Sequence, residues 1–241
     1  MKYLFLAYCL FLSFHSFSQE IYSNNYDWKG IFISGDAKIA NFDAGRTDIS
    51  ELFRSSGIDS QIHYSVDPNY VDDRTVFSPT AENLIAGFSA LEINPELDGC
   101  LIHMTSHGAK GKGFLIRGLG IIPPKFISSV VNSYCGNAPT VILISACYSG
   151  QFITSSLAGD NRIILTAAHK NLPSFGCSAD EEYTFWDGCI IEEMGKSVTW
   201  ADLHSNVKTC ISSKEKALGV RPSLPQSYFG KNVKDLEVPF Q

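Results

Sequence analysis

A long apolar run without alternation can be placed in few parts of a fold, and Pro139 to Gly150, reading PTVILISACYSG, is such a run. Residues Thr140 to Ser145 are mostly apolar and β-branched, the pattern of a strand buried on both faces. Ser145 and Ala146 close the run with small side chains, and Cys147 stands where it stops. Tyr148-Ser149-Gly150 follows, and then Gln151 to Leu157 with helical spacing. A thiol at the carboxyl end of a buried strand, ahead of a helix, is where an open α/β sheet places its chemistry. By position alone Cys147 is either a nucleophile or a structural cysteine at a strand end.

The rest of the chain alternates in the same manner. Strands are expected at Lys29 to Ser34, Gln61 to Val66, Cys100 to Thr105, Phe114 to Ile116 and Arg162 to Thr166. Between them lie segments with helical spacing. One carries Ile49, Leu52 and Phe53 and stops at Gly57. A second is opened by Thr80 as N-cap, and a third runs from Pro123-Pro124 to Tyr134. Two more helices are expected, around Glu181 to Met194 and Thr199 to Lys216. Asp67 to Ser78 and Ala167 to Asp180 read as loops, Ala109 to Gly113 as a flexible link, and the tail from Gly219 as non-helical cover. The alternation predicts an α/β fold with a mostly parallel sheet and helices on both faces.

The ends of the chain and its charge narrow the function. Met1-Lys2, the apolar run Tyr3 to Phe14 and the small residues Ser16-Phe17-Ser18 predict a leader covering 1–18. One domain is expected over 19–241, in a secreted or periplasmic protein. The apolar run is too short to span a bilayer, so no membrane partner is expected once the leader is removed. No basic run with interleaved aromatics occurs, which argues against nucleic acid. Six cysteines follow the leader, at 100, 135, 147, 177, 189 and 210. An even count in an exported chain suggests disulfides. If Cys147 stays free, at least one other must be unpaired. Cys189 with Cys210 is one pairing the order allows, and spacing does not fix it.

His107 ends an apolar strand in the polar stretch Thr105-Ser106-His107-Gly108. An imidazole there can exchange a proton with Cys147 across the rim, and the Gly108 N–H can approach a developing oxyanion. The plainer reading is a solvent-facing loop histidine. His103 and His107 are four apart but lie on a strand without the Glu of HExxH, so no metal site is expected. A nucleophile-elbow hydrolase would read GxCxG and draw its histidine from later in the chain, as His169 or His204.

Several segments together resemble the legumain-type, or asparaginyl endopeptidase, family of cysteine peptidases, in its short exported bacterial form. They are Gly35 with Asn41-Phe42-Asp43, Thr80 to Asn83, Leu101 to Gly108, Ile144 to Gly150, Thr166 to Ala168, Ser174 to Cys177 with Asp180, and Pro222-Ser223 with Pro225-Gln226. The resemblance covers almost the whole mature chain. It implies a caspase-like three-layer α/β/α sandwich that hydrolyses peptide or protein substrates without a cofactor. A chain lacking the family's C-terminal inhibitory domain is expected. Cys147 would be the nucleophile and His107 the general acid/base. The N–H groups of Gly108 and Cys147 would form the oxyanion hole, and Asn41 would orient the histidine. Ser174, Phe175 and Gly176, with Asp180, would line the pocket for the residue before the scissile bond.

The match departs at specificity. Where the animal and plant enzymes carry Arg-His and an acidic residue after the Cys, this chain has Asp43-Ala44 and Tyr148. Asp43 and Asp180 together would favour a basic side chain; alternatively Asp43 serves the helix that follows it. Ligation on the same dyad, or a catalytically silent binding domain, are the other functions such a chain could serve.

Overall fold

The computed structural model describes residues 26–72 and 74–239; the expected leader lies outside them. The order is β1 (Asp27–Ser34), α1 (Asn41–Ser55), β2 (Ser60–Tyr64), β3 (Val76–Phe77), α2 (Ala81–Ala90) and β4 (Asp98–Thr105). A hairpin region follows with β5 (Gly108–Ala109), β6 (Gly113–Ile116) and β7 (Gly120–Ile122). Then come α3 (Pro124–Tyr134), β8 (Thr140–Ser145), β9 (Arg162–Thr166), α4 (Phe185–Glu193), α5 (Trp200–Ala217) and β10 (Gln226–Phe229). Seven strands form the main sheet in the order β10-β9-β8-β4-β1-β2-β3. All neighbours are parallel except β10, which runs antiparallel along the free edge of β9.

Alternation within the central strands divides the core into two layers. From β8, Val141 and Leu143 face one side, where they meet Phe53 of α1, Trp186 and Ile190 of α4, and Leu203 and Val207 of α5. Ile142 and Ile144 face the other, against Leu84 and Phe88 of α2 and Ile127 and Val131 of α3. Every residue of β4, β8 and β9 is buried. At about 1.5–3 kcal/mol for each large aliphatic side chain removed from water, these strands anchor the domain. The result is the expected three-layer α/β/α sandwich.

Local chemistry sets the helix ends. The Thr80 hydroxyl accepts the Asn83 N–H at 3.1 Å, as its N-cap position predicts. Thr199 and Asp202 make a reciprocal capping box at α5. Thr184 accepts the Asp187 N–H, so α4 starts at Phe185 rather than at Glu181. Gly57, at φ 93°, ends α1 in a conformation that disfavours a side chain. Disulfides join Cys100 to Cys135 and Cys189 to Cys210, leaving Cys147 and Cys177 as free thiols among the described residues.

Four segments differ from the expectation. Gln151 to Leu157 is not a helix: a short 3-10 turn spans Ser149–Phe152, and turns follow. Gly150 N–H donates to Ala168 C=O, and the Ser149 hydroxyl accepts the Ala168 N–H; both tie the chain sideways to the end of β9. The Asp67–Ser78 loop contains β3, whose approach is organised by Asp72. The Asp72 carboxylate accepts the backbone N–H groups of Arg74, Thr75 and Val76. The link from Ala109 to Gly113 is the turn of an antiparallel hairpin. The tail supplies β10.

Candidate active site

Strands β4 and β8 are neighbours, and their register pairs Thr105 with Ser145. His107 and Cys147 therefore each stand two residues beyond the same rung, on adjacent strands at the carboxyl rim. The chain then turns Gly108 directly onto the Cys147 backbone. A Cβ at Gly108 would lie 1.8 Å from the Cys147 carbonyl oxygen, so only glycine allows this approach. Leu115 N–H donates to His107 C=O at 2.9 Å. That bond makes Gly108 and Phe114 a non-hydrogen-bonded pair, and the Gly108 N–H is not used by the ladder. Cys147 N–H has no backbone partner among the described residues. Two N–H groups without backbone partners among the described residues thus meet where Gly108 packs on the Cys147 backbone.

The thiol is covered by the loop after β9. Ser174 N–H is 3.3 Å from Cys147 Sγ, its hydroxyl is 3.6 Å away, and its carbonyl is also at 3.6 Å. Polar partners for the sulfur come from Ser174, not from the helix N-terminus expected after Cys147. Tyr148 takes the left-handed conformation, φ 59°, and its N–H donates to Leu172 C=O. That turn carries the chain sharply away from the strand end and leaves the Tyr148 side chain half-buried.

Asn41 and His107 do not pair. Asn41 Nδ2 donates to Gly176 C=O at 2.6 Å and, more weakly, to Ser178 C=O at 3.5 Å. Its buried Oδ1 has no partner among the described residues. The residue expected to orient the histidine instead anchors the Ser174–Gly176 loop to the start of α1. The group facing His107 is Asp36, with Oδ2 3.7 Å from Nε2. The Phe42 ring meets the imidazole edge-on at 5.0 Å. Asp36 accepts Arg117 Nε at 2.8 Å, a second bond from Arg117 Nη2, and the Lys38 N–H at 2.9 Å. Burial pushes this carboxyl upward, but the Arg117 bond, the Lys38 N–H and the nearby positive charges outweigh it and hold the pKa below its usual value.

Asp43 is a correction. Its carboxylate is 1% exposed, accepts the Ser34 hydroxyl at 2.6 Å and Arg46 Nε at 3.2 Å, and does not reach the rim. At the start of an amphipathic helix it fell on the inner face, and Arg46 one turn later neutralises it. Asp180 lies on an exposed turn, so the two carboxylates do not form the expected basic-specific pair. Phe175 packs on the core and Gly176, at φ 87°, lies against Phe185. Cys177 is held as a thiol: burial, and then the negative charges of Cys147 and Asp187, push its pKa to about 12.

The other histidines lie elsewhere. His103 is fully buried, with Nε2 3.0 Å from Asp187 Oδ1. The same carboxylate accepts the hydroxyls of Thr105 at 2.6 Å and Ser145 at 3.1 Å. His204 is buried between the Trp186 and Phe229 rings. His169 Nδ1 accepts the Asn171 N–H. Sequence reasoning missed Asp36, Arg117 and Asp187. Asp36 gives one sign in the sequence, an acid two residues beyond the end of β1.

A mostly parallel sheet between two helical layers is the architecture of the caspase-like fold, and here a thiol and an imidazole stand at neighbouring strand ends. Among solved structures, caspase-1 from Spodoptera frugiperda superposes with a TM-score of 0.60 over 85% of this chain and 87% of that one, at 12% identity. No curated protein matches the sequence. The model of the Peptidase C13 family matches residues 46–232, and the chain belongs to that family of cysteine-type endopeptidases. The matched stretch contains His107 and Cys147 and begins after Asn41.

Proposed function

We propose that the protein is an exported endopeptidase that cleaves peptide bonds through an acyl-enzyme on Cys147, with His107 as general acid/base. The observation carrying this reading is the shared rung, Thr105 with Ser145, from which both residues project. Cys147 Sγ attacks the carbonyl carbon and forms the S–C bond while His107 accepts the thiol proton. His107 returns that proton to the leaving amine as the C–N bond breaks. Water, deprotonated by His107, then attacks the acyl carbon and releases the acid and the thiol. The N–H groups of Gly108 and Cys147 face the oxyanion. Asp36, fixed by Arg117, supplies a negative charge beside the imidazolium that forms midway. Tyr148, Ser174, Phe175 and Gly176 border the substrate side chain. Export is supported by the apolar leader and by two disulfides, which persist in oxidising compartments.

Digestion of a peptide library, read by mass spectrometry, tests the dyad. Cys147→Ala removes cleavage, and His107→Ala lowers kcat/KM by about 10²–10⁴-fold, with circular dichroism unchanged. Activity retained in His107→Ala but lost in His169→Ala or His204→Ala would overturn the assignment.

Gly108→Ala tests the oxyanion geometry separately. The methyl must displace the Cys147 carbonyl that it would otherwise overlap. A shift of that size at the reacting centre lowers kcat/KM by roughly a hundredfold. Wild-type kinetics in Gly108→Ala would remove this glycine from the catalytic account.

A further inference from the structure

Away from the catalytic rim, a cavity of about 490 Å³ opens at the edge of the sheet between β2, β3, the end of α1 and α2. It exists because β3 is only two residues long. Its register covers His63 and Tyr64, leaving the first three residues of β2 with β1 as their one partner strand. Across the gap α2 presents Ala86, Gly87 and Ala90, whose small side chains leave the space open. The volume falls in the range of small-molecule sites.

One polar contact on the cavity wall sets donor against donor. Its charged lining residues, among those described, are Arg54 and Arg74; Arg54 also donates from Nε to Glu51 Oε1 at 3.2 Å and from Nη2 to Gln61 Oε1 at 3.3 Å. His63, 7% exposed, sits between two guanidinium groups: Nδ1 is 3.2 Å from Arg46 Nη1, and Nε2 is 3.5 Å from Arg54 Nη2. A guanidinium only donates, and the neutral ring has one acceptor nitrogen for two such neighbours; the shorter contact assigns it to Nδ1, accepting from Arg46, and leaves the proton on Nε2. That N–H then faces the Arg54 N–H group, donor against donor, at the cavity wall. Burial, and then the positive charges of Arg46 and Arg54, push the His63 pKa down to about 4, so the ring does not relieve the conflict by losing or gaining charge near neutral pH. Arg74 adds a third donor group. Ile62, Phe77 and the alanines of α2 supply an apolar wall.

We infer that this cavity is a binding site for a small organic carboxylate with an apolar body. Its carboxylate oxygens sit between His63 Nε2–H and the Arg54 guanidinium, with Arg74 closing over them. One anionic oxygen accepts from both opposed donors, and the apolar body lies against Ile62, Phe77 and α2. The site is independent of the catalytic rim, and its occupancy does not require the Cys147 and His107 assignments.

Isothermal titration of the protein with 2-naphthoate, 2-naphthamide and inorganic phosphate tests it. Saturable binding of 2-naphthoate with a millimolar or lower Kd is expected, at least about tenfold tighter than either the neutral amide or phosphate. Arg54→Gln/Arg74→Gln weakens naphthoate binding by about tenfold or more. Ala86→Phe, at an exposed helix position, abolishes it by filling the space and leaves peptidase activity intact. In NMR titrations bound naphthoate raises the His63 pKa. Absence of saturable binding, equal affinity for the amide or for phosphate, or wild-type binding in Ala86→Phe would each overturn the proposal.

Discussion

Replacing Asp187 by alanine lowers the unfolding free energy by about 3–5 kcal/mol, which equilibrium urea denaturation of the two proteins would measure. The side chain is completely buried, and three groups on the sheet converge on it: His103 Nε2, the Thr105 hydroxyl and the Ser145 hydroxyl. Truncation removes the acceptor and leaves the donors in place. His103 is the worst affected, because its Nδ1 already has no partner among the described residues. Orphaned buried polar groups cost about 1–3 kcal/mol each, more where charge is involved. Only Ser145 retains an alternative, the Thr184 hydroxyl at 2.9 Å. Thr105 and Ser145 are the paired residues from which His107 and Cys147 project, so this carboxylate also ties the two strand ends together beneath His107 and Cys147. Asp187→Asn keeps one acceptor and should lose less. A change below about 1 kcal/mol in Asp187→Ala would mean that the cluster contributes little beyond its volume.

The central sheet could be read from sequence because burial on both faces leaves an unbroken apolar run, as in Thr140 to Ser145. Edge elements carry no such signal. β3 has two residues and depends on Asp72 to fold its approach, and β10 is recognisable only once β9 offers an open edge. Gln151 to Leu157 has apolar positions at helical spacing, yet Gly150 and Ser149 form long-range bonds to Ala168 that a local pattern cannot anticipate. The same limit applies to the site. Cys147 and His107 are visible because each ends its own strand, a local property. Asn41 was found in the right region but given the wrong partner, since its bond to Gly176 spans 135 residues. Asp36 with Arg117, 81 residues apart, and Asp187 with Thr105, 82 apart, are pairings that exist only in three dimensions. Asp43 is the converse case: its charge was plain in the sequence, and only the packing of α1 shows that Arg46 and Ser34 hold it away from the rim.

Acidification from about pH 6.5 to about pH 4 removes roughly 3 kcal/mol of stability for each of two buried histidines. Burial, and then the charges of Arg46 and Arg54, push His63 to about 4, while burial, and then Lys208, pushes His204 to about 4. In the unfolded chain both rings titrate near 6.5. Above that pH they are neutral in both states and stability is at its full value. As the pH falls below it, the unfolded chain binds two protons that the folded chain refuses, so the equilibrium moves towards unfolding until the folded-state values are reached. Asp36, with its pKa lowered in the folded protein, acts in the same direction but in a lower window, below the usual carboxylate value of about 3.9. The windows separate the contributions. Urea midpoints measured from about pH 7 to about pH 4.5 should fall steadily, and His204→Phe should flatten the curve, because the aromatic contacts with Trp186 and Phe229 can remain while the titrating group is gone. His63→Gln should flatten it further. A wild-type midpoint that does not change over this range, or variants that follow the wild-type slope, would show that neither histidine stays neutral in the folded protein.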